Sequence, residues 1–186
     1  MVGITGFGGY VPRLRLQRQA IVDAHKWANP ALAGKAKGER SMCNWDEDAI
    51  TMGVEAARAC LNNGSGSPDI VYFASTSAPF ADRQNAGIIS TALGLSEDLA
   101  SADITSSQRA GTTALIQALA AVQGGLYQNA LIVAADKRRT RAASPGELAY
   151  GDAGVAMSVG VDNPLVELVA VHSTTVDFID HFRGAS

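Results

Sequence analysis

Short, dense apolar runs take turns along this chain with longer stretches whose apolar positions recur every three to four residues. The runs at 2–7 (VGITGF), 69–74 (DIVYFA), 102–104 (ADI) and 130–135 (ALIVAA) are short and bounded by polar or glycine residues, which predicts buried strands. Between them lie helical patterns. Residues 16–28 read as a helix stopped by Asn29-Pro30. After a Gly-, Ala- and Lys-rich loop at 31–41, Asn44 and Glu47 resemble a capping box. The helix behind them carries Ile50, Val54, Ala57 and Leu61 on one stripe and stops at Asn63-Gly64. Residues 84–93 form a helix ended by Gly94. The stretch 110–122 is apolar on nearly every side, so that helix is expected to be fully buried. Residues 151–160 and 165–176 read as two further strands, antiparallel in the sheet.

Strands alternating with helices predict an α/β protein with helices on both faces of a mixed, mainly parallel sheet. The strands at 69–74, 102–104 and 130–135 should be central, because such runs need cover on both faces. One domain over 1–176 and a tail or linker at 177–186 account for the whole chain. Composition sharpens this picture only by exclusion. The chain has 186 residues, 47% hydrophobic and 18% charged, with a formal net charge of −3. No basic excess points to nucleic acid, and no apolar run approaches the ~20 residues of a membrane span. The opening MVGITGFGGYVP has neither the charged nor the long apolar region of a secretory signal. With only Cys43 and Cys60, a reducing cytoplasm is the expected compartment.

The chemistry concentrates at DITSSQRAGTTAL, residues 103–115. A strand meets a helix there in a tight turn, which is how a fold presents a reactive side chain at a helix N-terminus. This segment resembles the active-site stretch of the thiolase superfamily, in particular its hydroxymethylglutaryl-CoA synthase and ketoacyl-ACP synthase III branches. Three other stretches carry the same resemblance in the same order: VGITGFGGYVP, DEDAITMGVEAARACL and YGDAGVAMSVG. The resemblance implies one βαβαβαββ half of a fold built from two such halves, with a second half supplying a histidine and an asparagine or second histidine. His172 and His181 match neither. A second thiolase-like half or subunit, homo- or hetero-oligomers such as dimers, and a small OB-fold and zinc-ribbon acyl-CoA-binding protein are the implied partners.

In the family the acyl-accepting cysteine lies five residues after the aspartate. Here that position is Gln108, whose amide has no useful nucleophilicity. The family's general-base glutamate falls at Thr76, whose hydroxyl is no base near neutral pH. The resemblance therefore implies CoA thioesters as substrate or ligand, with no covalently bound cofactor, and decarboxylation or C–C cleavage in place of condensation. Some ketosynthase-like domains carry glutamine for cysteine and decarboxylate malonyl groups. A purely structural amide at Gln108 and a non-catalytic docking subunit are the competing readings.

The neighbouring hydroxyls of Thr105, Ser106 and Ser107 lack an obvious base, and a helix cap suits Ser107 better than a nucleophile. Lys137 and Arg138, in the basic run after the 130–135 strand, suit CoA phosphates or a solvated loop equally well. Arg40 is a further CoA candidate from the loop before the first long helix. Cys43 and Cys60 read as decoys for thiol chemistry: Cys60 as a small hydrophobe, and Cys43 with only Arg40 nearby to lend slight support to a thiolate. No spacing suggests a metal site.

Overall fold

The computed structural model describes residues 1–62, 66–105 and 107–176. The Asn63-Gly64 stop, Ser106, His181 and the 177–186 tail lie outside the described residues. The main frame is β1 (Gly3–Tyr10), α2 (Ala49–Leu61), β4 (Ile70–Ala74), α3 (Asn85–Ala92), β5 (Ala100–Ile104), α4 (Ala110–Gln123), β6 (Ala130–Asp136) and β7 (Ala153–Gly160). That order is βαβαβαββ. A side lobe adds β2 (Leu14–Gln17), α1 (Arg18–His25), a 3-10 turn at Pro30–Lys35, β3 (Glu39–Met42) and α5 (Pro145–Ala149), and β8 (Val166–Glu167) closes the sheet.

The six-stranded sheet has the order β5-β4-β6-β7-β1-β8. β4 pairs in parallel with β5 and β6, while β7 is antiparallel to β6 and β1. Hence β1 runs the same way as β4, β5 and β6, and only β7 and β8 oppose them, which makes the sheet mixed and mainly parallel. Side chains alternate between its faces. Val71, Phe73, Leu131, Val133 and Ala156 pack under α2 and α3. Ile70, Tyr72, Ala74, Ile132 and Val159 pack under α4. The α/β frame with helices on both faces is thus the one the alternation predicted.

Several local expectations are corrected. The 102–104 strand is an edge, not a centre. Its sequence, ASADI, is only partly buried throughout, and small or polar residues of that kind need less cover. Helix α4 is buried along one face only. Ala110, Ala114, Ala118, Leu119 and Val122 meet the sheet, while Thr112, Gln117 and Ala120 stay exposed. Its even apolarity came from alanine, which is indifferent to burial.

The helix expected at 16–28 starts at Arg18, because Leu14–Gln17 pairs with Glu39–Met42 as a two-stranded ribbon. Each segment is only four residues long, and the alternation of LRLQ runs straight into the helix, so their pairing is what marks them as strands. The 165–176 strand shrinks to Val166–Glu167. The α2 cap is Asp48, whose carboxylate accepts from Thr51 N at 2.9 Å while Thr51 Oγ1 accepts from Asp48 N at 2.8 Å. Asn44 and Glu47 instead form a turn just ahead of it, with Glu47 Oε2 accepting from Asn44 N at 2.7 Å.

Helix α2 lies directly on the backbones of β1 and β7. A Cβ on Gly8 would stand 2.4 Å from the Ala56 carbonyl oxygen and 2.4 Å from Cys60 N, and one on Gly154 would stand 2.7 Å from Met52 O. Neither helix backbone can yield locally. Gly8→Ala is therefore expected to lower stability by about 2–3 kcal/mol, read as a lower urea midpoint. An unchanged midpoint would mean that α2 slides on the sheet.

Candidate active site

Strands β4, β5 and β6 run in parallel, so their C-terminal ends deliver three loops to one edge of the sheet, where α/β folds gather ligands. The last residue of β6 and the two after it secure the surrounding loops. Asp136 Oδ1 accepts from Ser75 Oγ at 3.0 Å, Thr76 N at 2.7 Å, Thr76 Oγ1 at 3.0 Å and Ser77 Oγ at 2.8 Å. The loop after β4 is thereby tied to β6. Lys137 Nζ donates to the carbonyls of Asn44 (3.2 Å) and Glu47, holding the turn before α2. Arg138 reaches the loop after β5. With the Gln108 amide oxygen turned toward it, Nη1 and Nη2 each lie 3.2 Å from that oxygen. The same guanidinium stacks on the Tyr150 ring, 4.5 Å from its centroid.

Gln108 is exposed and stands two residues ahead of α4. Ser107 Oγ accepts from Arg109 N at 3.1 Å, and the Ser107 carbonyl accepts from Ala110 N at 3.0 Å. Ser107 thus organises the helix start, although the formal cap residue is Arg109. Asp103, the aspartate that opens the motif, serves a different helix. Its carboxylate accepts from Asn85 N at 2.7 Å, Asn85 Nδ2 at 2.8 Å and Ala86 N at 2.8 Å, at the start of α3.

Thr76 and Gln108 are therefore both anchored to the end of β6, through Asp136 and Arg138. Lys137 and Arg138 are engaged inside the chain. Arg40 lies in β3 on the side lobe, with Nη1 3.4 Å from Ser41 O and its Nε enclosed with no hydrogen-bond partner among the described residues. Three participants were not anticipated from sequence: Asp136, Tyr150 and Glu47. Asp136 had a signal, as the one charged residue closing the apolar run ALIVAAD. Tyr150 had none, since its role depends on the fold of the 137–150 loop.

Cys43 is no thiolate, in line with its reading as a decoy. Cys43 is buried, its Sγ lies 3.4 Å from Met52 Sδ, and its N donates to Asp152 Oδ2 at 2.8 Å. Burial first, then the Asp152 charge, pushes the thiol up to about 12. Cys60 is buried as expected, with Sγ 3.2 Å from Ser158 Oγ.

Glu47 couples the site to solvent pH. Its Oε1 accepts from the Tyr10 hydroxyl, and that bond, with the one from Asn44, holds the carboxyl below its usual range. The same bond, with burial, raises the Tyr10 phenol to about 12. A depressed acid stabilises the fold above its unfolded pKa and loses that contribution as pH falls through the folded one. Tyr10→Phe is expected to lower stability by about 1 kcal/mol at pH 7. That gap should narrow as the pH falls below the ordinary glutamate value of about 4.3. Urea midpoints at pH 7 and below that value test this. A gap independent of pH would show that Tyr10 acts by packing alone.

No family model matches the chain. Individual proteins do. The chain is 33% identical over 189 residues to the hydroxymethylglutaryl-CoA synthase of Archaeoglobus fulgidus, an alignment covering 98% of this chain and 54% of that protein. Among solved structures, 3-oxoacyl-(acyl carrier protein) synthase III of Pseudomonas aeruginosa aligns with TM-score 0.74 at 20% identity, over 87% of this chain and 51% of the other. An HMG-CoA synthase complexed with CoA aligns with TM-score 0.75 at 22% identity, over 88% and 42%. The chain thus spans about half the length of the curated relatives it matches. Over 98% of its length the chain is thus similar to about half of a hydroxymethylglutaryl-CoA synthase, and it has the fold of the synthase structures above.

Proposed function

We propose that this chain handles an acyl-CoA thioester at Gln108 without forming an acyl-enzyme, in decarboxylation or C–C cleavage rather than condensation. The observation that carries this reading is the placement of Gln108. It stands exposed two residues ahead of α4, where the resemblance expects the nucleophile, and its amide can face Arg138; an amide can donate a hydrogen bond to a developing oxyanion but cannot attack a thioester. Thr76, where the resemblance expects the general base, donates its hydroxyl to Asp136, which supports the absence of a base there.

Of the cations first considered for the CoA phosphates, Arg40 is retained, while Lys137 and Arg138 are occupied within the site. The exposed Arg139 and Arg141 on the same loop replace them. Arg141 lines a cleft of about 500 Å³ together with Ala28, Asn29 and residues 142–145, large enough for part of a nucleotide.

A second reading, a docking subunit, draws on a different observation. On the α4 side, Phe7 is 65% and Val155 46% exposed, beside a depression of about 150 Å³ lined by Leu115, Ile132 and Met157. Apolar surface of this kind suits a second thiolase-like half, supplied by a longer chain, a second copy or another subunit. A small OB-fold and zinc-ribbon protein remains a further candidate partner.

Titration calorimetry with acetyl-CoA, and chromatography of malonyl-CoA after incubation with the chain and with such a half, separate the readings. Saturable binding and release of acetyl-CoA and CO2 support the first. Association with a thiolase-like half without acyl-CoA binding supports the second.

A further inference from the structure

An exposed glutamine is ambiguous, because its amide can offer either an acceptor oxygen or a donor NH2 to a ligand. At Gln108 the ambiguity is removed by a neighbour that the resemblance does not account for. In the amide orientation that gives Arg138 an acceptor, both of its terminal nitrogens lie 3.2 Å from the Gln108 oxygen. The guanidinium is itself held flat on the Tyr150 ring at 4.5 Å. The residues before it, Asp136 and Lys137, are anchored by hydrogen bonds to the loops at 75–77 and 44–47. Arg138 thus projects from a fixed strand end, with a planar fork that matches one acceptor and an aromatic face that fixes its plane.

We infer that Arg138 is the positioning residue of this site: stacked on Tyr150, it takes the Gln108 amide oxygen, so that the NH2 is the group left for a thioester carbonyl. What the NH2 meets rests on the acyl-thioester reading; the pairing itself does not. Without Arg138 the amide can turn over, and its oxygen would then face the substrate carbonyl oxygen, acceptor against acceptor. Lysine would replace the fork with a single mobile point charge and would restore the orientation only in part.

The pairing places a full positive charge beside position 108, and a titrating probe installed there can read it. In the Gln108→Cys variant the rate of alkylation by iodoacetamide is followed against pH. Cys43 and Cys60 are buried and contribute little background. The half-maximal rate is expected about one pH unit or more below the ordinary thiol value of about 8.5. Adding Arg138→Met should return it to that value, with Arg138→Lys in between. Adding Tyr150→Leu, which frees the guanidinium without removing it, should raise it partway.

A merely structural Arg138 would lower the melting temperature and leave the alkylation midpoint where it was, and that result overturns the pairing. Calorimetry then tests what the NH2 meets. Arg138→Met in the otherwise native chain should weaken acetyl-CoA about tenfold and leave free CoA unchanged. Equal weakening of both, or of neither, overturns the positioning role. A shifted alkylation midpoint in a chain that binds no acetyl-CoA upholds the pairing and overturns the acyl-thioester reading alone.

Discussion

Mixed with acetyl-CoA, the chain is expected to keep its mass, whereas the Gln108→Cys variant gains an acetyl group. The amide at position 108 has no electron pair nucleophilic enough to displace CoA, and Ser107 Oγ accepts a backbone hydrogen bond from Arg109 with no base against it in the described residues. A thiol at 108 would stand at the start of α4 beside the Arg138 guanidinium, and both favour the thiolate. Acylation should go no further. Condensation needs a proton removed, and Thr76, the residue proposed for the general-base position, gives its own proton toward Asp136. Lack of a placed base typically forfeits ~10²–10⁴-fold in rate. Intact-mass spectrometry with peptide mapping checks the first step, and product chromatography the second. An adduct on Ser107 of the unaltered chain would make serine the nucleophile. Efficient condensation by Gln108→Cys alone would remove Thr76 from the general-base position.

Asp136→Ala should be the most damaging single change at the site that leaves the apolar core intact. One carboxylate oxygen accepts from four donors in three consecutive residues, and Ser75, whose hydroxyl is one of them, is only 2% exposed. Hydrogen bonds to a charged group contribute about 1.5–3 kcal/mol each and do not add fully, so a loss of about 3–5 kcal/mol is expected. Against a typical total of about 5–15 kcal/mol, that is a large fraction. Asp136→Asn keeps an acceptor oxygen in place and should cost less than half as much. Urea denaturation gives the totals, and limited proteolysis shows whether the loop at 75–77 is the part released. A cost below about 1 kcal/mol for the alanine variant would mean that the loop is held by its own turn geometry, such as the 3.0 Å bond from Ser77 N to Ser75 Oγ.

Much of the frame was legible because local pattern and burial agree in it. DIVYFA and ALIVAA are apolar on both faces, and β4 and β6 lie side by side between helices. Asn29-Pro30 and Gly94 stop helices near where the sequence places the stops, Gly94 with the positive φ of 67° that suits it. Legibility failed where residues were indifferent. Alanine in α4 and β5 fits exposed and buried surroundings equally, so sequence could neither expose one face of the helix nor send the strand to the edge. LRLQ and ERSM became strands only by pairing with each other.

At the site, sequence by itself determined the positions: a strand end, a turn, Gln108 and a helix, with Thr76 at the end of another strand. It also determined the side chains available there, and hence that neither position can act as nucleophile or base. Only tertiary structure decided what those side chains do. Asp136 reaches back 60 residues to Thr76, and Arg138 meets Gln108 and Tyr150 because parallel strands bring their C-terminal ends to one edge. Such contacts depend on sheet order, a property of pairings between distant segments that no local pattern records. The same physics settles Cys43, whose one nearby arginine in sequence lent a thiolate only slight support: burial beside Asp152 keeps the sulfur protonated.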